Sequence, residues 1–282
     1  MPTSDNIAKN FFDLKRCEWV LWGQAARFSV AEELISQALG LKASTMILSI
    51  ALMLMTAVAD SGATLGTAQL DARRLQTGEF IYRDYSKGKV LGKSSISIRV
   101  DEQDSNYRFS ARTIGYADQH WESVASPTLS PVSARLTVGK GPDQPTAFDL
   151  HYAKGKVTGL AINRHSSEPG TQLPVNASID SNTVDQRIDW ATVMAFDLRK
   201  GCRFSFSVYD AATGSSEVHV RVSPRRRIDV PAGTFPVLAL TYWVKKSTGA
   251  ERYIVYATES LPRFMVREDF PDGTISELVK RQ

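Results

Sequence analysis

The side chains that most often carry chemistry are few and far apart in this sequence. Histidines stand at His120, His151, His165 and His219. None is paired with another histidine, or with a cysteine, at the short regular spacing that a metal site uses. His151 sits between Leu150 and Tyr152, and His219 between Val218 and Val220; if those neighbours point inward, both imidazoles face outward. The adjacent acids Asp101-Glu102 and Glu268-Asp269 fall at the ends of strand-like runs, where solvated charge is the simple reading. Two carboxyls run acid–base chemistry only when their environments separate their pKa values. H-E-x-x-H, C-x-x-C, G-x-S-x-G, P-loop and G-x-G-x-x-G patterns are all missing, so the sequence assigns no catalytic residue, no metal and no cofactor. Tyr242, Trp243, Tyr253 and Tyr256 lie on two neighbouring strand-like runs, with Phe264 close behind. They read either as cross-strand packing or as the lining for an apolar or sugar ligand. Arg225-Arg226-Arg227 is the one basic cluster: a solvated turn, or a patch for an anionic partner.

The elements that must position these residues have period two. Ile96, Ile98 and Val100 alternate with Ser95, Ser97 and Arg99; Phe204, Phe206 and Val208 with Ser205 and Ser207; Val218, Val220 and Val222 with His219 and Arg221. Alternation over five or more residues marks a strand with one buried face. Turn residues separate the runs, at Lys87-Gly88, Asp104-Ser105-Asn106, Lys154-Gly155, Thr213-Gly214, Thr248-Gly249 and Asp272-Gly273, and short-range turns of this type close antiparallel hairpins. About a dozen strands are expected between Glu79 and Lys280, in a sandwich or barrel-like sheet. One helix is expected, over Asp185–Arg199, where Ile188, Ala191, Val193, Ala195, Phe196 and Leu198 form a broad apolar stripe and Gly201 supplies a stop. Such a helix would plug or cover the concave face of a curved sheet. Ser166 to Asn182 reads as a loop before it.

The chain has 282 residues, 43% hydrophobic and 23% charged, which is enough to build a core without staples. The net charge of +4 is scattered, whereas a nucleic-acid binder gathers its charge on one face among aromatics; nucleic acid is not an expected partner. Cys17 and Cys202 are the two cysteines. Met46–Ala59 is a run of 14 residues without charge, closed by Ala57-Val58-Ala59. It is shorter than the ~20 residues of a membrane span and matches the apolar core and small-residue cleavage site of an export signal. The signal reading places the start of translation at Leu41, Met46 or nearby. Residues 1–45 are then an upstream extension, disordered or helical, with Ser29–Ile35 as a short amphipathic helix. Residues 46–63 are the signal, 64–77 a linker and 78–282 a single β-rich domain. A membrane anchor and a buried core helix are the alternatives for the apolar run. With cleavage, Cys202 stands alone as a small apolar residue, and the mature chain is periplasmic, touching membrane only if the signal remains.

Longer stretches carry a family pattern: "GEFIYRDYSKGKVLGKSSISIRV", "FDLHYAKGKVTGLAI", "DWATVMAFDLRKGCRFSFSVYD", "IDVPAGTFPVLALTYWV" and "ERYIVYATESLPRFMVREDFPDGTISEL". Over roughly Gly78 to Leu278 the chain resembles the domain-of-unknown-function family numbered 3108, found in exported proteins of Gram-negative bacteria. It departs from that pattern at Ala211, where the family usually has Gly. The resemblance implies a large curved antiparallel sheet, or half-barrel, wrapped about a helix and similar to periplasmic carriers of lipoproteins and lipids. It brings no catalytic residues with it. The expected function is a non-catalytic binding module for an apolar or lipid-like ligand. The alternatives are an envelope scaffold that binds protein without a small ligand and, behind it, a cell-wall hydrolase.

Overall fold

The computed structural model describes residues 63–64, 70–116, 118–139, 145–162, 170–246 and 249–282. The expected leader, the apolar run and Cys17 lie outside them, as does His165.

Seventeen strands form one sheet. Strand β1 (Ala63–Thr64) is followed by β2 (Gly78–Ser86), β3 (Lys89–Val100), β4 (Tyr107–Ile114), β5 (Gln119–Ala125), β6 (Pro131–Val138), β7 (Thr146–Ala153), β8 (Lys156–Ile162) and β9 (Gln172–Ser178). After β10 (Thr183–Asp185) comes α1 (Asp189–Met194), then β11 (Arg203–Asp210), β12 (Gly214–Val222), β13 (Arg226–Val230), β14 (Gly233–Lys246), β15 (Gly249–Thr258), β16 (Met265–Asp269) and β17 (Thr274–Arg281). From β2 to β9 each strand pairs antiparallel with the next. β17 returns to pair with β2 and joins the two halves of the chain. Both β12 and β13 pair with β14. At the far edge β1 and β10 lie end to end along β11, both parallel to it. The fold is therefore mainly β with one short helix, as the alternation predicts, with more strands than the expected dozen.

The period-two pattern sets the two faces. In β4, Tyr107, Phe109, Ala111 and Thr113 are buried while Arg108, Arg112 and Ile114 are exposed. The hairpins fall at the predicted turns. Ser86 opposes Lys89 and Ala153 opposes Lys156, leaving two-residue loops, Lys87-Gly88 and Lys154-Gly155. All four loop residues have positive φ, the mirror-image turn whose twist suits a hairpin. Gly159 answers a different need: a Cβ there would sit 2.0 Å from the Asp149 carbonyl oxygen, so β7 and β8 approach too closely for any side chain.

Three expectations change. The helix is shorter than Asp185–Arg199. Thr183–Asp185 is strand, Gln186–Ile188 a 3-10 turn, and only Asp189–Met194 is α. The Asp185 carboxylate accepts the Arg187 N–H and starts the turn. At the other end the Arg263 guanidinium donates to the carbonyls of Met194 and Phe196, 2.8 Å each, taking the place of further helical turns. The expected loop, Ser166 to Asn182, contains β9, which pairs with β8 through Gln172–Ser178; Pro174 and the polar residues of an edge strand hid its alternation. The expected linker, 64–77, is part of the folded body from Leu70 onward: Leu70, Ala72 and Leu75 are at most 4% exposed.

Helix α1 lies in the concave face. Trp190 meets Phe109 of β4 edge-on at 6.5 Å. The Tyr242 hydroxyl of β14 donates to the Trp190 carbonyl oxygen at 3.2 Å, Tyr253 of β15 reaches Asp189, and Arg263 reaches the helix end. Strands that far apart in the sheet touch one helix only if the sheet wraps around it. The buried apolar residues form two cores. The larger gathers α1 with β2–β5, β11, β12 and β14–β17; the smaller holds β6–β8 and Tyr209.

Candidate functional site

The six residues Asp185–Trp190 join the concave face to both cores. Asp185 accepts the Tyr152 hydroxyl of β7 at 2.6 Å and the Arg187 N–H at 2.8 Å. The Arg187 guanidinium bonds the Asp210 carboxylate of β11 and lies 5.1 Å over the Phe148 ring of β7. Asp210 also accepts the N–H groups of Ala212 and Thr213, so this ion pair closes the β11–β12 turn. Burial pushes the Asp185 carboxyl up, with Arg187 and Tyr152 pulling it back. Burial works against the Arg187 charge, and the Asp210 and Asp185 carboxylates more than offset it. This network is the seam through which β10 and β11 meet β6 and β7, where the sheet leaves β9 and β11 without a shared ladder.

Four residues on, Asp189 faces the other core. Its carboxylate accepts the Tyr253 hydroxyl at 2.6 Å and the Trp190 N–H at 2.6 Å. Burial raises its pKa to about 6, against those hydrogen bonds. Beyond Tyr253 a row of polar residues crosses the concave face. Glu268 of β16 opposes Ser276 of β17, and Ser276 opposes Asp84 of β2. Asp84 accepts the hydroxyls of Ser276 at 2.7 Å and Ser94 at 2.6 Å. Glu268 has no hydrogen bond or ion pair among the described residues. Burial drives its pKa well above the usual range, helped by the carboxylates of Asp189, Asp84 and Asp269. By accessible surface the residue as a whole is half-buried. A neutral Glu268 can donate one hydrogen bond, and Asp189 changes charge near pH 6. Among the described residues no three acids, histidines or cysteines come close enough to hold a metal ion.

The structure divides the aromatic candidates. Tyr242 and Tyr253 stack at 4.5 Å and 14° on the concave side, both committed to α1. Trp243 and Tyr256 have the opposite parity and lie on the convex side. The Tyr256 hydroxyl bonds Asp269 at 3.2 Å beneath Arg267, and Trp243 is half-buried opposite His219 and Arg252. Phe264 belongs to a third place, stacked on Phe80 at 5.6 Å and edge-on to Phe235. Arg225 bonds Glu259, while Arg226 and Arg227 are exposed on β13. His151 and His219 are exposed, and Cys202 is half-buried against the larger core.

Glu268-Asp269, read as solvated charge at a strand end, is a correction: Asp269 pairs with Arg267 outside, and Glu268 points inward. Asp84, Asp185, Arg187 and Asp189 escaped the sequence reading altogether. Parity could have found Asp84, and could have turned Glu268 inward. Asp84 has the parity of the inward Phe80 and Tyr82 in β2, and Glu268 that of Val266 in β16. Asp185–Trp190 has no such period to read.

The family described as protein of unknown function (DUF3108) matches residues 81–279. No curated protein matches the chain. Among solved structures, a β-barrel-like protein of the domain of unknown function DUF1849 from Brucella abortus is 14% identical with a TM-score of 0.45, over 74% of this chain and 98% of that one. The hypothetical lipoprotein YmcC from Escherichia coli is 9% identical with a TM-score of 0.32, over 85% of this chain and 98% of that one.

Proposed function

The chain belongs to the DUF3108 family of unknown function, and from that premise we propose an exported, non-catalytic envelope module that binds through its outer face. The observation that carries this reading is the fate of the concave face. Its two aromatic candidates, Tyr242 and Tyr253, hold the protein's own helix by hydrogen bonds to Trp190 and Asp189. Trp190, Val193 and Met194 of that helix complete the core. The place where a half-barrel would seat a small apolar ligand is thus taken by α1. Export is supported by the 14-residue uncharged run and its Ala57-Val58-Ala59 end.

A carrier of a lipid or other apolar ligand is the second reading. It is favoured by Val175, Ala177 and Ile179, half-buried apolar residues packed beside the smaller core.

Expression with the native leader, followed by fractionation, N-terminal sequencing and native mass spectrometry, tests both. The expected result is a periplasmic chain beginning near Asp60 whose mass is that of polypeptide alone. A stoichiometric acyl chain in the native spectrum would overturn the outer-face reading in favour of the carrier. A full-length cytosolic chain would overturn export.

A further inference from the structure

We propose that the convex face of β2–β6 is a binding groove for an acidic oligosaccharide. The inference deepens the outer-face reading by naming the surface and its ligand class.

The groove follows from side-chain size. On β3 and β4 the outward residues Ser95, Ser97 and Ser110 are short, and Ser97 opposes Ser110 directly. Glu79 of β2 stands against Ser97 on one side. His120 of β5 stands against Arg112 on the other. The low floor between these longer walls makes a depression of about 420 Å³, with Arg99 and Arg112 also in its lining. A second depression of about 240 Å³ continues from it across β5 and β6, lined by His120, Glu122, Arg135 and Thr137. His120 is common to both, so the trough runs crosswise over five strands, about 19 Å at the usual strand spacing.

Its chemistry selects the ligand. Arg112 has no hydrogen bond or ion pair among the described residues, and Arg99 has only its 3.1 Å bond to Ser97 Oγ. Both guanidinium groups are exposed and free to take a carboxylate or phosphate in fork geometry. On β3, Arg99 is four residues from Ser95, the partner of Arg112, so the two cations bracket the serine floor about 13 Å apart. Hydroxyls on the floor can donate to and accept from sugar hydroxyls. No Phe, Tyr or Trp ring lines the trough, so a neutral sugar finds no broad stacking platform there. A sugar chain lying across these strands with anionic groups on both of its edges matches a hydroxyl floor flanked by a guanidinium on each bank.

The test uses the mature chain, the acidic disaccharide digalacturonate, the neutral disaccharide lactose and inorganic phosphate. Binding is followed by two-dimensional amide NMR and calorimetry at low and high salt. Digalacturonate is expected to shift amides of β3, β4 and β5 and to weaken with salt. Arg112→Ala and Arg99→Ala should each reduce its affinity by about tenfold, and Arg252→Ala, exposed on another part of the sheet, should leave it unchanged. Unperturbed spectra elsewhere show that the variants remain folded. Binding of phosphate alone at equal affinity, equal weakening by Arg252→Ala, or no shift at these strands with digalacturonate overturns the groove. A protein that carries an acyl chain inside and still takes digalacturonate here would refute the filled interior and leave the groove standing.

Discussion

The two cores of this sheet are built from similar strands and filled in opposite ways. The larger is completed by a helix whose polar ends are tied down on both sides: Asp189 by Tyr253, and the carbonyls of Met194 and Phe196 by Arg263. The smaller has no helix. Its inner residues Leu136, Phe148, Leu150, Tyr152 and Val157 are covered through Tyr209 of β11, which meets Tyr152 edge-on at 6.3 Å, and through Arg187 over Phe148. A sheet too wide to close its own ladder has thus closed by side chains. The tie is polar, with Asp185 and Tyr152 buried and Arg187 and Asp210 partly buried. What the difference teaches is that one six-residue segment, Asp185–Trp190, serves both cores, with carboxylates four residues apart facing opposite ways.

Breaking that tie should have the largest effect. Arg187→Ala leaves the buried Asp185 and the partly buried Asp210 without their cation. Removing one partner from a buried ion pair costs about 3–5 kcal/mol. Urea unfolding should show a loss of that order, and hydrogen exchange should rise first in β6–β9, where the lid over Phe148 has gone. A loss under 1 kcal/mol, or exchange rising first in β14 and β15, would show that the smaller core does not depend on the seam.

A second perturbation acts on the larger core alone. The folded state raises the Asp189 pKa from 3.8 to about 6 through burial, so the folded chain holds the proton more tightly than the unfolded one. The stability gained from this is complete below about pH 4 and is lost as pH rises through about 6. The shift corresponds to about 3 kcal/mol. Asp189→Asn should flatten the stability profile between pH 4 and 7, leaving the slope owed to Glu268, which is raised in the same direction. Tyr253, Arg187 and Asp185 are the other titratable groups acting on Asp189. An unchanged profile in the variant would remove Asp189 from this account.

How much of this was legible beforehand depends on period. The strands, their hairpins at Lys87-Gly88 and Lys154-Gly155, and the single helix follow from alternation and turn chemistry. Sequence proximity groups the aromatic candidates, while the sheet sorts them by parity; Tyr242 and Trp243 are neighbours in sequence and lie on opposite faces. Asp185–Trp190 is strand, 3-10 turn and helix within a few residues, so no regular spacing announces which carboxylate turns where. The helix is shorter than its apolar stripe predicts for a related reason. Its end is set by Arg263, nearly seventy residues away, and no local pattern reports a partner at that distance.

The smallest expected effect is also the sharpest comparison. Tyr152 and Tyr253 each donate a hydroxyl to a buried carboxylate at 2.6 Å, one in each core. Tyr152→Phe and Tyr253→Phe delete the same atom and leave the ring. Each should cost about 1–3 kcal/mol, the penalty for a buried acceptor left short of a donor. The two costs should differ in where they appear. Asp189 keeps its Trp190 N–H, inside a core that α1 and its neighbours hold without Tyr253, so that variant should unfold in one step at lower urea. Asp185 keeps the Arg187 N–H but loses the hydroxyl that ties β7 to β10. Tyr152→Phe should therefore raise exchange in β7 and β8 at urea concentrations where β14 and β15 remain protected. Uniform exchange in both variants would mean that the two cores unfold as one, and that the seam is no weaker than the helix-filled side.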